Sequence, residues 1–117
     1  MENFKFSTLE YKRPDLETRS QRLTQWKAAV QQAESYEALR GLLFEIDREN
    51  CRLLTMYSVA HIRHTLDTRD EFYETEIAYL QDTLPTLGAA EVALSEAIAA
   101  SPFRSDIEQE VGKQYFV

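Results

Sequence analysis

The chain has 117 residues, a formal net charge of −7, and only three Gly and three Pro. That length supports one domain with a single modest core, and a composition rich in Ala, Leu, Glu, Gln and Arg favours long helices over a sheet. An acidic surface repels phosphate backbones and anionic lipid, so neither nucleic acid nor membrane is expected as a partner.

The first 14 residues read as an extended arm. Phe4 and Phe6 alternate with polar residues, Leu9 and Tyr11 follow, and Pro14 biases Arg13 away from helix. Asp15 can cap what comes next. Leu16, Leu23, Trp26, Val30 and Ala33 fall on one face, predicting a first helix over 15–33. Ser35 then precedes a stripe of Leu39, Leu43, Ile46, Asn50, Leu53, Tyr57, Ala60 and His64. Its spacing of three and four predicts a second helix over 36–66, a rod of roughly 45 Å at 1.5 Å per residue.

Thr68-Arg69-Asp70-Glu71 fits a capping box, in which hydroxyl and glutamate each satisfy a free amide of the first turn. It predicts a third helix over 69–101 on Tyr73, Ile77, Leu80, Leu84, Leu87, Leu94 and Ile98. Pro85 lies inside it and should kink it, at about 3 kcal/mol if uncompensated. Ser101-Pro102 ends it, and Ser105-Asp106-Ile107-Glu108 is a second capping box opening a fourth helix over 105–116. The short joint between helices two and three implies an antiparallel hairpin. The expected fold is therefore all-α, a long-helix hairpin or bundle of about four helices with an N-terminal arm. Residues 69–117 carry ten acidic and three basic side chains, so the acidic excess is concentrated there.

The densest chemistry lies in the joint. His61 and His64 stand three apart on one helix, but zinc needs two further ligands, or one and a water. The nearest acids, Asp67 and Asp70, sit at or past the helix end, and neither His-Glu-x-x-His nor Glu-x-x-His occurs. His64 on the apolar stripe reads as a hydrogen-bonded core histidine. Arg63 and Asp67 are spaced for an ordinary surface ion pair worth ~0.3–0.5 kcal/mol; if buried, Arg63 could instead tie the turn to several carboxylates and carbonyls. Arg63, His64, Asp67, Thr68, Asp70 and Glu71 together read as a structural polar joint that ends one helix and starts the next. Tyr57, Phe72, Tyr73 and Tyr79 read as hairpin packing, and Cys51 as an inert thiol.

No apolar run approaches the ~18 residues of a membrane span and no signal peptide opens the chain. The single Cys51 fits a reducing, cytoplasmic setting. At the other end Tyr115, Phe116 and Val117 form an apolar tripeptide with no polar tail. They read as a docking surface on a segment of a longer chain.

Four stretches carry a resemblance: "FSTLEYKRPD" (6–15), "TMYSVAHIRHTLDTRDEFYETE" (55–76), "SPFR" (101–104) and "GKQYF" (112–116). In this order they resemble the N-terminal part of oligoendopeptidase F-type zinc metallopeptidases, of the thimet-oligopeptidase-like superfamily. The resemblance implies an all-helical enzyme of several hundred residues that cleaves short peptides in a deep channel. Its zinc would sit on a His-Glu-x-x-His helix and a downstream Glu, none of which is present here. This chain is then expected to hold no catalytic residue, no metal ligand and no cofactor of its own, zinc belonging to the full-length parent. It would form a channel wall, pack against the catalytic half, and be inactive alone. The alternatives are a free-standing acidic helical module that binds a partner or forms a homodimer, and a small metal-binding bundle using His61 and His64.

Overall fold

A computed structural model describes residues 9–116. The arm before residue 9, with Phe4 and Phe6, lies outside the described residues, as does Val117. From Leu9 to Pro14 the chain is irregular, as Pro14 requires of its neighbour. Helix α1 (Leu16–Gln32) starts at Asp15, whose carboxylate accepts from the Thr18 amide at 3.0 Å and the Thr18 hydroxyl at 2.7 Å. Those bonds, the amide's first, hold the Asp15 carboxyl below its ordinary range. Helix α2 (Tyr36–Leu66) starts at Ser35, whose hydroxyl accepts from the Ala38 amide at 3.2 Å. Its 31 residues make a rod of roughly 46 Å, which accounts for most of the molecule's 51 Å length.

Two further helices follow the joint, α3 (Glu71–Thr83) and α4 (Gly88–Ala99), separated by a 3-10 turn over Leu84–Leu87. The expected continuous helix over 69–101 is thus two helices. Pro85 has no amide to donate and its ring crowds the carbonyl four residues back, so the chain tightens to 3-10 geometry. The expected capping box at Thr68 is also corrected. Asp70 is the cap, its carboxylate accepting from the Phe72 amide at 2.9 Å, while Thr68 stays in an exposed turn. Helix α5 (Arg104–Val111) begins after a turn in which the Ser101 hydroxyl accepts from the Phe103 amide at 3.1 Å. It begins before Ser105, and it does not reach 116. Gly112 adopts a φ of +91°, a backbone state open to glycine without strain, and a last 3-10 turn covers Lys113–Phe116.

The all-α reading holds, with no strand among the described residues. Helix α1 packs mainly on α4, and α2 on α3 as the expected hairpin. The α1 stripe is buried at Leu16, Leu23, Trp26 and Val30, against Leu39 and Ile46 of α2, Leu80 of α3, Leu94 and Ile98 of α4, and Ile107 of α5. Within this layer Arg19 of α1 reaches Asn50 of α2 at 2.7 Å and Glu91 of α4 at 2.8 Å, joining three helices through one guanidinium. The radius of gyration is 16.8 Å, against about 13 Å for a compact domain of this length. The core is correspondingly thin.

Candidate functional site: a polar joint that clasps the arm

Glu76 lies in the second turn of α3 and is only 4 % exposed. A carboxylate so nearly removed from water must be compensated by donors. The arm supplies them. Arg13 presents a fork, Nε to Oε1 at 3.0 Å and Nη2 to Oε2 at 2.8 Å, and the Tyr11 hydroxyl donates to Oε1 at 3.0 Å. The same guanidinium lies 4.0 Å over the Tyr79 ring, a cation–π contact added to the ion pair. Arg13, and then Tyr11, hold the Glu76 carboxyl below its ordinary range against the opposing effect of burial. Burial first, and then the bond to Glu76, push the Tyr11 phenol up. At neutral pH the pair is therefore carboxylate and phenol, with no proton poised to move.

A second clasp lies one turn away. Arg63, in the last turn of α2, donates from Nη1 to the Tyr73 hydroxyl at 3.0 Å and from Nη2 to the Leu9 carbonyl. Of the two readings of Arg63, the structure takes the tying one, with a carbonyl and a phenol among its partners. Asp67 is left to Arg69 at 3.4 Å on the exposed turn. The rings complete the seat: Tyr11 meets Phe72 and Tyr73 edge-on at 6.1 and 5.7 Å, and Phe72 meets Tyr73 at 5.0 Å. The Lys12 amide donates to the Met56 sulfur at 3.3 Å.

Of the residues expected in the joint, Arg63, Asp67 and Asp70 bond as described, Thr68 and Glu71 face solvent, and His64 is half-buried. Among the described residues the buried His64 Nδ1 has no hydrogen-bond partner, so the expected bonded core histidine is corrected on that nitrogen. The His61 ring rests on Tyr57, centroids 4.5 Å apart. Among the described residues no three His, Cys, Asp or Glu side chains come together as a metal would require. The described residues thus offer no set for the zinc that the resemblance places in the full-length parent. Cys51 is exposed, with no histidine placed to activate it.

Glu76, Arg13 and Tyr11 as a bonded set were missed from sequence. The signal was present: an acid three residues after Tyr73 and beside Ile77 falls on the buried side of α3. At the other end of the molecule Tyr115 is exposed, while Phe116 is half-buried under the Arg104 guanidinium at 4.3 Å.

The joint holds backbone in place; it contains no nucleophile paired with a base. Residues 6–117 match the family model of the peptidase M3 N-terminal domain. No curated protein sequence matches. Among solved structures, one assigned as an oligoendopeptidase F superposes with a TM-score of 0.88 at 33 % identity over 97 % of this chain. Another, PZ peptidase A with an inhibitor, superposes with a TM-score of 0.86 at 34 % identity over 96 %. This chain spans only 20 % of the length of either. With the family model covering residues 6–117 and both superpositions covering 96 % or more of this chain, the chain belongs to the peptidase M3 N-terminal domain family.

Proposed function

We propose that this chain is the N-terminal helical portion of a zinc-dependent oligoendopeptidase that hydrolyses short peptides, and that it is inactive by itself. It would act as a channel wall packed on the catalytic half, with its longest helix clamped at the joint to the arm. The observation that carries the reading is the match over residues 6–117 to a domain that makes up a fifth of each structural relative. Peptide hydrolysis by zinc needs three protein ligands and a bound water, and the described residues gather no such set. Zinc and its chemistry are therefore assigned to the rest of the parent. A cytoplasmic location is part of the proposal, resting on the lone thiol of Cys51.

The test replaces the matching fifth of the oligoendopeptidase F relative with this chain and assays a fluorogenic short peptide. The chimera should cleave the peptide, lose the activity to a chelator and regain it with zinc. The isolated chain should not cleave under any of these conditions. Turnover by the isolated chain, or a chimera that folds but never cleaves, would overturn the reading.

A further inference from the structure

Half of the large apolar side chains exposed among the described residues lie on one face. Phe44, Val92, Val111 and Tyr115 are between 47 % and 57 % exposed. Phe44 and Val111 flank a groove of about 310 Å³ between α2 and α5, floored by Leu43, Ile46 and Ile107. Val92 lies in a second groove, of about 530 Å³, along α4. Tyr115 borders both, so the two grooves form one surface. This face lies far from the arm clasp: Phe44 and Leu66 are 22 positions apart on α2, or roughly 33 Å along its axis.

The rim of this face is acidic. Among the described residues Asp47 and Glu110 border the first groove and Glu91, paired with Arg19, and Glu96 the second, while Arg40 is the one base lining either. Arg40 is already committed to Glu110 at 2.6 Å, and Tyr36 donates to the same carboxylate. Among the described residues no cation pairs with Asp47 or Glu96. An apolar centre inside a polar rim is the anatomy of a protein interface, and this rim selects the sign of what meets it. A second copy docking through the same face would oppose acid to acid, which disfavours a two-fold pairing.

We propose that this face seats an apolar element flanked by Lys or Arg, supplied by the remaining four-fifths of the peptidase chain. The inference rests on the parentage proposed above, and the chain's 20 % share of its relatives' length supplies the body that would cover the face. Tyr115 is the central anchor, its aromatic ring ready to become fully desolvated, and Phe44 and Val111 line the slot beside it.

Thiol labelling tests this with single cysteines placed by Phe44→Cys, Tyr115→Cys and Leu54→Cys in a Cys51→Ser background. Each is made in the isolated chain and in the cysteine-free oligoendopeptidase F chimera. A maleimide should label all three rapidly in the isolated chain. In the chimera, labelling at 44 and 115 should slow at least tenfold, while 54, exposed on another side of α2, stays fast. An active chimera that labels equally fast at 44 and 115 would overturn this inference and leave the parentage standing. A folded but inactive chimera would overturn the parentage itself, and this inference with it. Concentration-dependent protection of 44 and 115 in the isolated chain would mean that a second copy covers the face, which also overturns the proposal.

Discussion

Glu76→Gln separates the charge of the joint from its shape. The amide keeps the volume of the side chain and one acceptor, but it turns an NH2 toward donors that need an acceptor. Glu76 accepts from both nitrogens of the Arg13 fork and from Tyr11. A hydrogen bond to a charged group contributes ~1.5–3 kcal/mol, and the cost of burying the carboxylate offsets part of that sum. Arg13 is half-exposed and can be rehydrated once its partner is gone. We therefore expect a loss of ~2 kcal/mol at neutral pH, or roughly 6–12 °C in Tm for a domain of this size. Urea unfolding followed by helical circular dichroism measures it. The sign of the pH dependence follows from linkage. The folded Glu76 carboxyl lies below its ordinary value of 4.5, so its contribution is present above that value and is lost as pH falls through the lower folded value. The difference between wild type and Glu76→Gln should shrink accordingly as the solution is acidified below 4.5. A loss under about 0.5 kcal/mol at neutral pH, or one that is the same in acid, would refute the account of Glu76 as a buried, ionised acceptor. Glu71→Gln, on the exposed first turn of α3, is the control and should change little.

Three other outcomes follow from the same structure. Tyr11→Phe should cost about 1–2 kcal/mol below pH 10; because the folded phenol is raised above its ordinary 10.0, the wild type's advantage should fade in stronger alkali, which unfolding titrations would follow. Arg63→Lys keeps the charge but loses the fork that spans the Leu9 carbonyl and the Tyr73 hydroxyl, so trypsin should cut after Lys12 several-fold faster, the Arg13–Pro14 bond being resistant, while α2 stays intact. Leu23→Ala, at a side chain 1 % exposed between α1 and its neighbours, should cost about 2–5 kcal/mol, whereas Leu54→Ala on the exposed face should lie within about 0.5 kcal/mol of wild type.

The elements legible in the sequence were those with local causes. Asp15 caps α1 as expected and α2 starts at Ser35 as expected, because an N-cap bond spans only three residues. The α1 stripe was legible because its period is that of a helix packed on one side. The capping box was read at Thr68, but the carboxylate of Asp70, two positions on, holds the cap; the two side chains lie too close in sequence for the local pattern to separate them. Pro85 was correctly identified as a disturbance, but whether a proline kinks a helix or divides it depends on its packing, here with Leu84 and Leu87 against the core. The arm clasp was only half legible. Tyr11 was placed in the arm and Arg63 read as a tie if buried, yet Glu76 looked like one more acid in an acidic segment. Its place beside Ile77 hinted at burial, but its partners Arg13 and Tyr11 lie more than 60 positions away, and local periodicity carries no information about partners at that range. The packing of α1 on α4 was hidden for the same reason.

The clasp also sets an order in time. Arg13 and Glu76 are 63 positions apart, so during synthesis the arm is made first and secured late. At ~5–20 residues per second, its acceptor follows roughly 3–13 s behind it. Through that interval α1 and most of α2 can form on local contacts alone, while Tyr11 and Arg13 have nothing to grip. When α3 folds back along α2, one carboxylate arrives and the two ends of the stretch from 11 to 76 close together. The joint is thus a latch on a loop as well as a seam between helices, and Tyr11 and Arg13 are secured only once α3 has been made.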